Sequence, residues 1–288
     1  MRYAYYPIVM VTMILGSIAC VNYLPEKFFI ATPLILTIVL VLLFIFGERI
    51  LPYRKEWNGV KKDSLADFLR TLVVLPWLSK LTEICLPILF YYPVLWVSKK
   101  WGMIDLISDY GYIAQITLAL LCCEFCYYWF HRLAHNWRLL WRLHSVHHGV
   151  HRVYWLNAGS FHSLEIIPST IFYFAPLLFF EADPVVTTLI ITISSITGFL
   201  EHINVNFEAG WLNYVFNTAQ HHRWHHSKLV KESNSNYGKA LIIWDLLFRS
   251  FHLPKGKDVK EVGVQGRQVP IDFIGQMKHP FEPTISED

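Results

Sequence analysis

Charge is scarce in this sequence. Of 288 residues, 16% are charged and 54% are hydrophobic, whereas soluble domains carry about a quarter charged residues. That shortage excludes a surface wetted only by water and makes lipid part of the solvent. The formal net charge of +3 gives no basis for a nucleic-acid partner. Cysteine is sparse as well. Cys20, Cys85, Cys122, Cys123 and Cys126 all lie in apolar runs, and none forms a CxxC pair beside a polar loop. Neither a disulfide framework nor a zinc ribbon is indicated, since buried thiols behave as small hydrophobes. The sequence also lacks a GxGxxG fingerprint between strand and helix, an internal repeat and any low-complexity segment. A nicotinamide or flavin domain is therefore not expected. The N-terminus shows no small-residue cleavage pattern, and Tyr5, Tyr6 and Pro7 interrupt it, so its apolar run is read as a retained membrane helix.

Long apolar runs are what the chain has instead. A bilayer crossing takes about 20 mostly apolar residues. Pro7 to Val21 and Phe28 to Phe46 form a first hairpin, connected through Asn22, Pro25, Glu26 and Lys27. The stretch Gly47 to Asp67 carries Arg49, Arg54, Lys55, Lys61 and Lys62, which places it in the cytoplasm by the positive-inside rule. Phe68 to Val97 follows, broken by Pro76, Pro87 and Pro93, then a far-side loop from Lys99 to Tyr112. Tyr112 to Phe130 returns to the cytoplasmic side at His131, and a further hairpin over 166–200 turns near Glu181 to Pro184. The expected architecture is all-α, an integral membrane helical bundle with a histidine-rich metal-binding cap on the cytoplasmic side. Three regions follow: transmembrane helices over 1–112, a metal domain over 113–252 that includes the 166–200 hairpin, and a peripheral tail over 253–288.

Histidine is the residue in excess. Most of the 14 lie between His131 and His226. His131 and His135 are four apart, so a helix puts them on one face. His144, His147 and His148 form an HxxHH pattern, and His222, His225 and His226 form another. His162 and His202 are the nearest additional candidates, making ten. Every cluster falls on the same predicted side of the membrane. One structural zinc needs about four ligands. Eight to ten imidazoles suit two ions instead, with room for an exchangeable oxygen species, and imidazole serves iron, copper, zinc and nickel. His221 does not complete the HxxHH spacing and is assigned to a supporting position beside His222. His151, His252 and His279 are read as ordinary.

At these residues the sequence resembles the fatty acid hydroxylase/sterol desaturase superfamily. The resemblance covers about residues 115 to 251. It includes the three histidine motifs in order, the hairpin between the second and third, Asn157 to Glu165 around His162, and Glu201-His202-Ile203-Asn204. It also includes Asn236-Tyr237-Gly238 with Trp244-Asp245-Leu246-Leu247-Phe248. Two positions depart from the pattern: Ser163 stands for a proline and Arg249 for a glycine. The resemblance implies two iron ions, dioxygen as co-substrate, a lipid substrate (sterol, fatty acyl, sphingolipid or related), and hydroxylation or desaturation of a C–H bond. It also implies a separate electron donor, a small cytochrome or a ferredoxin with its reductase. The membrane is then a bacterial inner membrane or the endoplasmic reticulum.

Supporting residues are read from position. Glu124, seven residues before His131 in an apolar helix, either accepts a hydrogen bond from a ligand histidine or pairs with Arg132 or Arg142. Glu165, Glu201 and Asp245 are similar candidates, and Asn157 and Asn204 could orient ligands through their amides. Trp129, Trp137, Trp141, Trp155 and Trp224 are read as interfacial aromatics. Arg138, Arg142, Arg152 and Lys228 are candidates for a docking face for the electron donor. Three alternatives are weighed beside the oxygenase. A zinc-dependent membrane hydrolase usually wants an HExxH helix, and His131 is followed by Arg132. A non-catalytic metal-binding membrane protein would be separated from an enzyme by dioxygen uptake. A transporter would place its ligands near the bilayer midplane, whereas these lie at helix ends.

Overall fold

A computed structural model of the chain describes residues 1–25, 28, 31–102, 107, 109–266 and 268–282. Glu26 and Lys27, assigned above to the first connection, lie outside them. Among the described residues the protein is helical, and its only β pairings are the isolated bridges Pro52–Val205, Phe216–Leu241 and Ser227–Val262.

Apolar runs become long helices because a backbone in lipid must satisfy its own hydrogen bonds. Helix α1 is Arg2–Tyr23 and α2 is Thr32–Ile50. Helix α3 (Ser64–Phe68) passes through a π-helical stretch, Leu69–Val74, into α4 (Leu75–Lys100), and α5 is Tyr112–Asn136. The segments Arg2–Cys20, Ser64–Lys100 and Tyr112–Asn136 are long and apolar enough to cross a membrane. The π stretch packs closely against the 156–159 turn. Gly159 approaches so closely that an added Cβ would lie 2.8 Å from Thr71 Cα, and Thr71 donates its hydroxyl to Leu156 O at 2.6 Å.

Helix α6 (Arg138–His148) turns back from the end of α5. The hairpin is α7 (Ser163–Phe179) and α8 (Pro184–Leu200), each 17 residues. At 1.5 Å per residue each is about 25 Å long, shorter than a hydrocarbon core of about 30 Å. Asp183 caps α8 by accepting from Val185 N–H at 2.7 Å, and Glu181 takes a positive φ of 44° to make the turn. Four short helices follow: α9 (Ala219–His225), α10 (Val230–Ser233), α11 (Ile243–Leu247) and α12 (Phe273–Lys278).

Helix α7 packs on α4 and α5, and α8 packs on α2 and α5. One core joins Tyr6, Met13, Leu40 and Phe44 to Ile196, Leu200 and Phe207, and a second joins Ala119 and Cys123 to Tyr173, Leu177 and Ile190. The opposite helix faces stay bare. Leu34, Ile38, Leu42 and Phe46 of α2 and Trp77, Ile84, Ile88 and Trp96 of α4 are all exposed. Apolar faces of that extent mark contact with a membrane or partner. A third core, Trp57, Val153, Trp224, Val259 and Val262, lies in the segments between and beyond the long helices. It draws in the segment after residue 253, and Val269 and His279 are buried too. The described part of the tail is thus packed on the body, because its valines complete that apolar cluster.

Candidate metal centre

The end of α5, all of α6, the start of α7, the end of α8 and α9 meet at one pole of the bundle. Along α5 and α6 the spacing of four residues stacks His131 over His135 and His144 over His148. Helix α9 presents His222, His225 and His226, the last as its cap residue.

Nine imidazoles converge there in two groups. His131, His135, His144, His148 and His225 form one, and His147, His202, His222 and His226 form the other, with ligand atoms in each group within 4.8 Å of one another. In the first group His144 Nε2 is 3.1 Å from both His131 Nε2 and His148 Nε2, and His148 Nε2 is 3.1 Å from His225 Nε2. In the second, His222 Nε2 is 3.2 Å from His202 Nε2 and 3.0 Å from His226 Nε2. Two ligands at right angles around an ion, with metal–nitrogen bonds of about 2.1 Å, lie about 3.0 Å apart, and tetrahedral ligands about 3.4 Å. The observed separations fit the crowded case. The groups also adjoin, with the rings of His148 and His226 stacked at 4.6 Å between centroids.

The outer nitrogens fix which nitrogen faces inward. His131 Nδ1 is 2.8 Å from Tyr237 O, His225 Nδ1 is 2.7 Å from Ser235 O, and His202 Nδ1 is 3.2 Å from Gly198 O. A carbonyl only accepts, so each Nδ1 carries the proton and each Nε2 turns a bare lone pair inward. Asn234 Oδ1 holds His135 Nδ1 at 3.1 Å, and Glu165 Oε1 holds His144 Nδ1 at 2.5 Å. His135 Nε2 is left buried without a partner, as a ligand atom without its ion would be. Burial, first, and the neighbouring imidazoles, second, push His147, His148, His222 and His226 well below the ordinary histidine range. Burial alone takes His202 to about 3. These rings are neutral at physiological pH and free to bind a cation.

His162 is not brought into either group. Its Nδ1 accepts from Leu164 N–H at 3.2 Å as the cap of α7, and its Nε2 faces Met277 O at 3.1 Å. His221 caps α9 through Nδ1, 3.2 Å from Thr218 N, which leaves His222 to the centre. Glu165 touches a grouped histidine, and Glu201 Oε2 lies 3.4 Å from His222 Nδ1. Glu124 does neither thing expected of it. Its Oε2 accepts from the main-chain N–H groups of Lys239, Ala240 and Leu241 at 3.2, 2.8 and 3.0 Å, and its Oε1 accepts from Tyr173 Oη at 3.0 Å. A carboxylate buried inside the helical bundle finds main-chain donors before it finds a distant arginine. Asp245 likewise accepts from Tyr237 N and Gly238 N, both at 2.8 Å, and so holds the loop whose carbonyls orient His131 and His225.

Asn157 and Asn204 are also corrected. Asn157 Oδ1 accepts from Tyr154 N at 3.2 Å, and Asn204 bridges Arg54 N, Arg54 O and Asn58. Both brace loops and touch no grouped histidine. Arg152 offers no docking charge, because it is fully buried on Trp57 O, Gly59 O, Asp63 and Ser64. The residues that sequence reasoning missed are Asn234, Ser235 and Tyr237. Two of them act through main-chain carbonyls, which leave no side-chain signature.

The comparisons with known proteins bear on this geometry. The sequence profile of the fatty acid hydroxylase family matches residues 116–250, the span holding all nine grouped histidines. An ornithine lipid hydroxylase from Rhizobium tropici is 32% identical over 256 residues, covering 85% of this chain and 73% of the relative. The chain belongs to the fatty acid hydroxylase family. The human alkylglycerol monooxygenase is 36% identical over 168 residues, covering 58% of this chain and 36% of the relative. A Delta(7)-sterol 5(6)-desaturase from Schizosaccharomyces pombe is 27% identical over 162 residues, covering 52% and 49%. The chain thus spans about a third to a half of the monooxygenase and desaturase relatives. No solved structure matches. As a member of this family the chain is an oxidoreductase, and the zinc-hydrolase alternative has no relative among those named.

Proposed function

We propose that this family member is a membrane-bound oxygenase that hydroxylates a C–H bond of a lipid, using two irons, dioxygen and electrons from a separate donor. The observation that carries the reading is the pair of adjacent imidazole groups, five and four strong, at one pole of an apolar bundle. The first ion would be held by His131, His135, His144, His148 and His225, and the second by His147, His202, His222 and His226. Two bound irons would supply activation of dioxygen and the oxidising power for an unactivated carbon.

The chain's own contribution is positional. Carbonyls and carboxylates fix the imidazole tautomers, and the neutral rings leave the ions strongly cationic. Phe161, stacked on His147 at 4.0 Å between centroids, and half-buried Tyr127, 5.5 Å from the His131 ring, flank the centre with apolar surface. Hydroxylation is favoured over desaturation because the relative matched over most of its length is named a hydroxylase. A lipid substrate is favoured by that name and by the bare apolar helix faces that would seat the protein in a bilayer. The basic loops favour a cytoplasmic position for the histidine pole, at a bacterial inner membrane or the endoplasmic reticulum. There Arg138, Arg142 and Lys228 would face a small cytochrome or a ferredoxin. Residues 1–112 would then anchor, 113–252 would carry the chemistry, and the described part of 253–288 would brace it.

The test is metal content of the detergent-purified protein beside a His148→Ala/His226→Ala variant, followed by lipid analysis under ¹⁸O₂. Two irons per chain, lost in the variant, with label entering a lipid, are expected. One zinc, or a folded protein without metal, would sink the di-iron reading.

A further inference from the structure

Lys239 sits where a cation is costly. It follows Gly238 in the loop that carries His131's carbonyl partner, and its stem runs past Gly198 of α8, whose added Cβ would lie 3.6 Å from Lys239 Cε. Its ammonium reaches between α5, α7 and α8, 4.9 Å from the Tyr173 ring centroid and 5.5 Å from that of Tyr127. The Tyr127 ring in turn is 5.5 Å from His131. The ammonium therefore lies one aromatic layer from the imidazole groups, on their bilayer side. Ser194, its hydrogen-bond partner, is six residues before the end of α8, about 9 Å down the helix.

An ammonium has three donors. Lys239 Nζ spends one on Ser194 Oγ at 2.6 Å. No ion pair within 4.0 Å joins it to any carboxylate among the described residues. Glu124 is close in charge but not in contact, because its oxygens are taken up by three main-chain N–H groups and Tyr173. Burial pushes the Lys239 ammonium down, while Glu124 and Glu201 act the other way. A half-buried cation with unspent donors, inside a lipid-facing bundle, is a binding group by default. We propose that Lys239 is a specificity-determining residue that holds an oxyanion of the lipid, a carboxylate or a phosphate, and so sets which carbon lies against the metal centre.

This rests on the oxygenase reading for its consequence, but binding can be read without turnover. The experiment compares purified wild type, Lys239→Met and Lys239→Arg, each with its metal content measured, for affinity towards hexadecyl phosphate, palmitate and hexadecanol. A charge-assisted hydrogen bond corresponds to about ten- to a hundredfold in affinity. Wild type and Lys239→Arg should therefore bind one or both anions at least tenfold more tightly than the alcohol, and Lys239→Met should bind all three alike. A preference for phosphate over palmitate, or the reverse, names the headgroup. Equal binding of all three by wild type, or an anion preference kept in Lys239→Met, overturns the assignment. If Lys239→Met loses its metals, acylation of Lys239 in folded wild type, followed by peptide mass spectrometry, decides. Slowing by an anion but not by hexadecanol supports the site, and no difference refutes it. Loss of iron in wild type would instead count against the di-iron reading and leave the affinities to stand alone.

Discussion

Glu165 is buried and its Oε1 lies 2.5 Å from His144 Nδ1. Its work is to hold the imidazole that touches both His131 and His148. Outer partners of this kind are worth about 10- to 100-fold in metal affinity. Glu165→Ala should lower iron retention against a chelator by that factor while leaving helix content unchanged in circular dichroism. Unchanged retention would mean that the packing around His144, not the carboxylate, sets its orientation. His162, three residues earlier, is the contrast. It shares the neighbourhood and the residue type, yet both nitrogens are taken up by Leu164 and Met277, so substituting it should act on the α7 cap and the tail before the metals.

The elements show what a sequence can and cannot disclose. The α5 and α6 histidines were legible because helical spacing converts directly into a shared face, and the apolar run before His131 announced the helix. Glu165 was legible because it follows a histidine motif closely. The partners of Glu124 were not, since main-chain N–H groups carry no letter in the sequence. The loop 234–238 was visible only as a familiar run, although it supplies the acceptors for His135, His225 and His131. Its shape depends on Asn236 at φ 55° and on Gly238, where a Cβ would lie 2.1 Å from Leu241 O. Helix α11 below it ends on Arg249 at φ 59°, with Ser250 N–H returning to Asp245 O at 2.9 Å. That is the left-handed closing position that glycine fills without cost. Arg249→Gly should therefore stabilise the protein by about 1 kcal/mol, read as a rise in melting temperature. A fall would show that the arginine side chain contributes more than its backbone strain costs.

For the whole molecule, six of the grouped imidazoles make stability depend on pH even without metal. Burial holds His147, His148, His202, His222, His225 and His226 below the ordinary value of 6.5. The unfolded chain therefore binds more protons than the folded one once the pH falls below 6.5. Stability is full above that value and is lost progressively as the pH drops towards about 3, the value for His202. Melting curves of chelator-treated protein between pH 8 and pH 5 should show a plateau above 7 and a steady decline below 6.5. A flat profile would mean that the pole is already open to water in the folded state. The two imidazole groups are also unequally braced. All but one of the first group's rings have an outer nitrogen held within 3.1 Å by a carbonyl, amide or carboxylate. In the second, the Nδ1 atoms of His147 and His226 are buried without a hydrogen-bond partner among the described residues, and His222 Nδ1 has only Glu201 Oε2 at 3.4 Å. A ring less firmly oriented must be ordered further when it coordinates, so the second ion should bind more weakly and leave first. Titration of the metal-free protein with ferrous iron would then give two steps, not one, with the weaker step abolished by His202→Ala. The resting protein could accordingly pass through a half-filled form, in which a single tightly held ion keeps the pole folded while the other position exchanges with the cell's supply of iron.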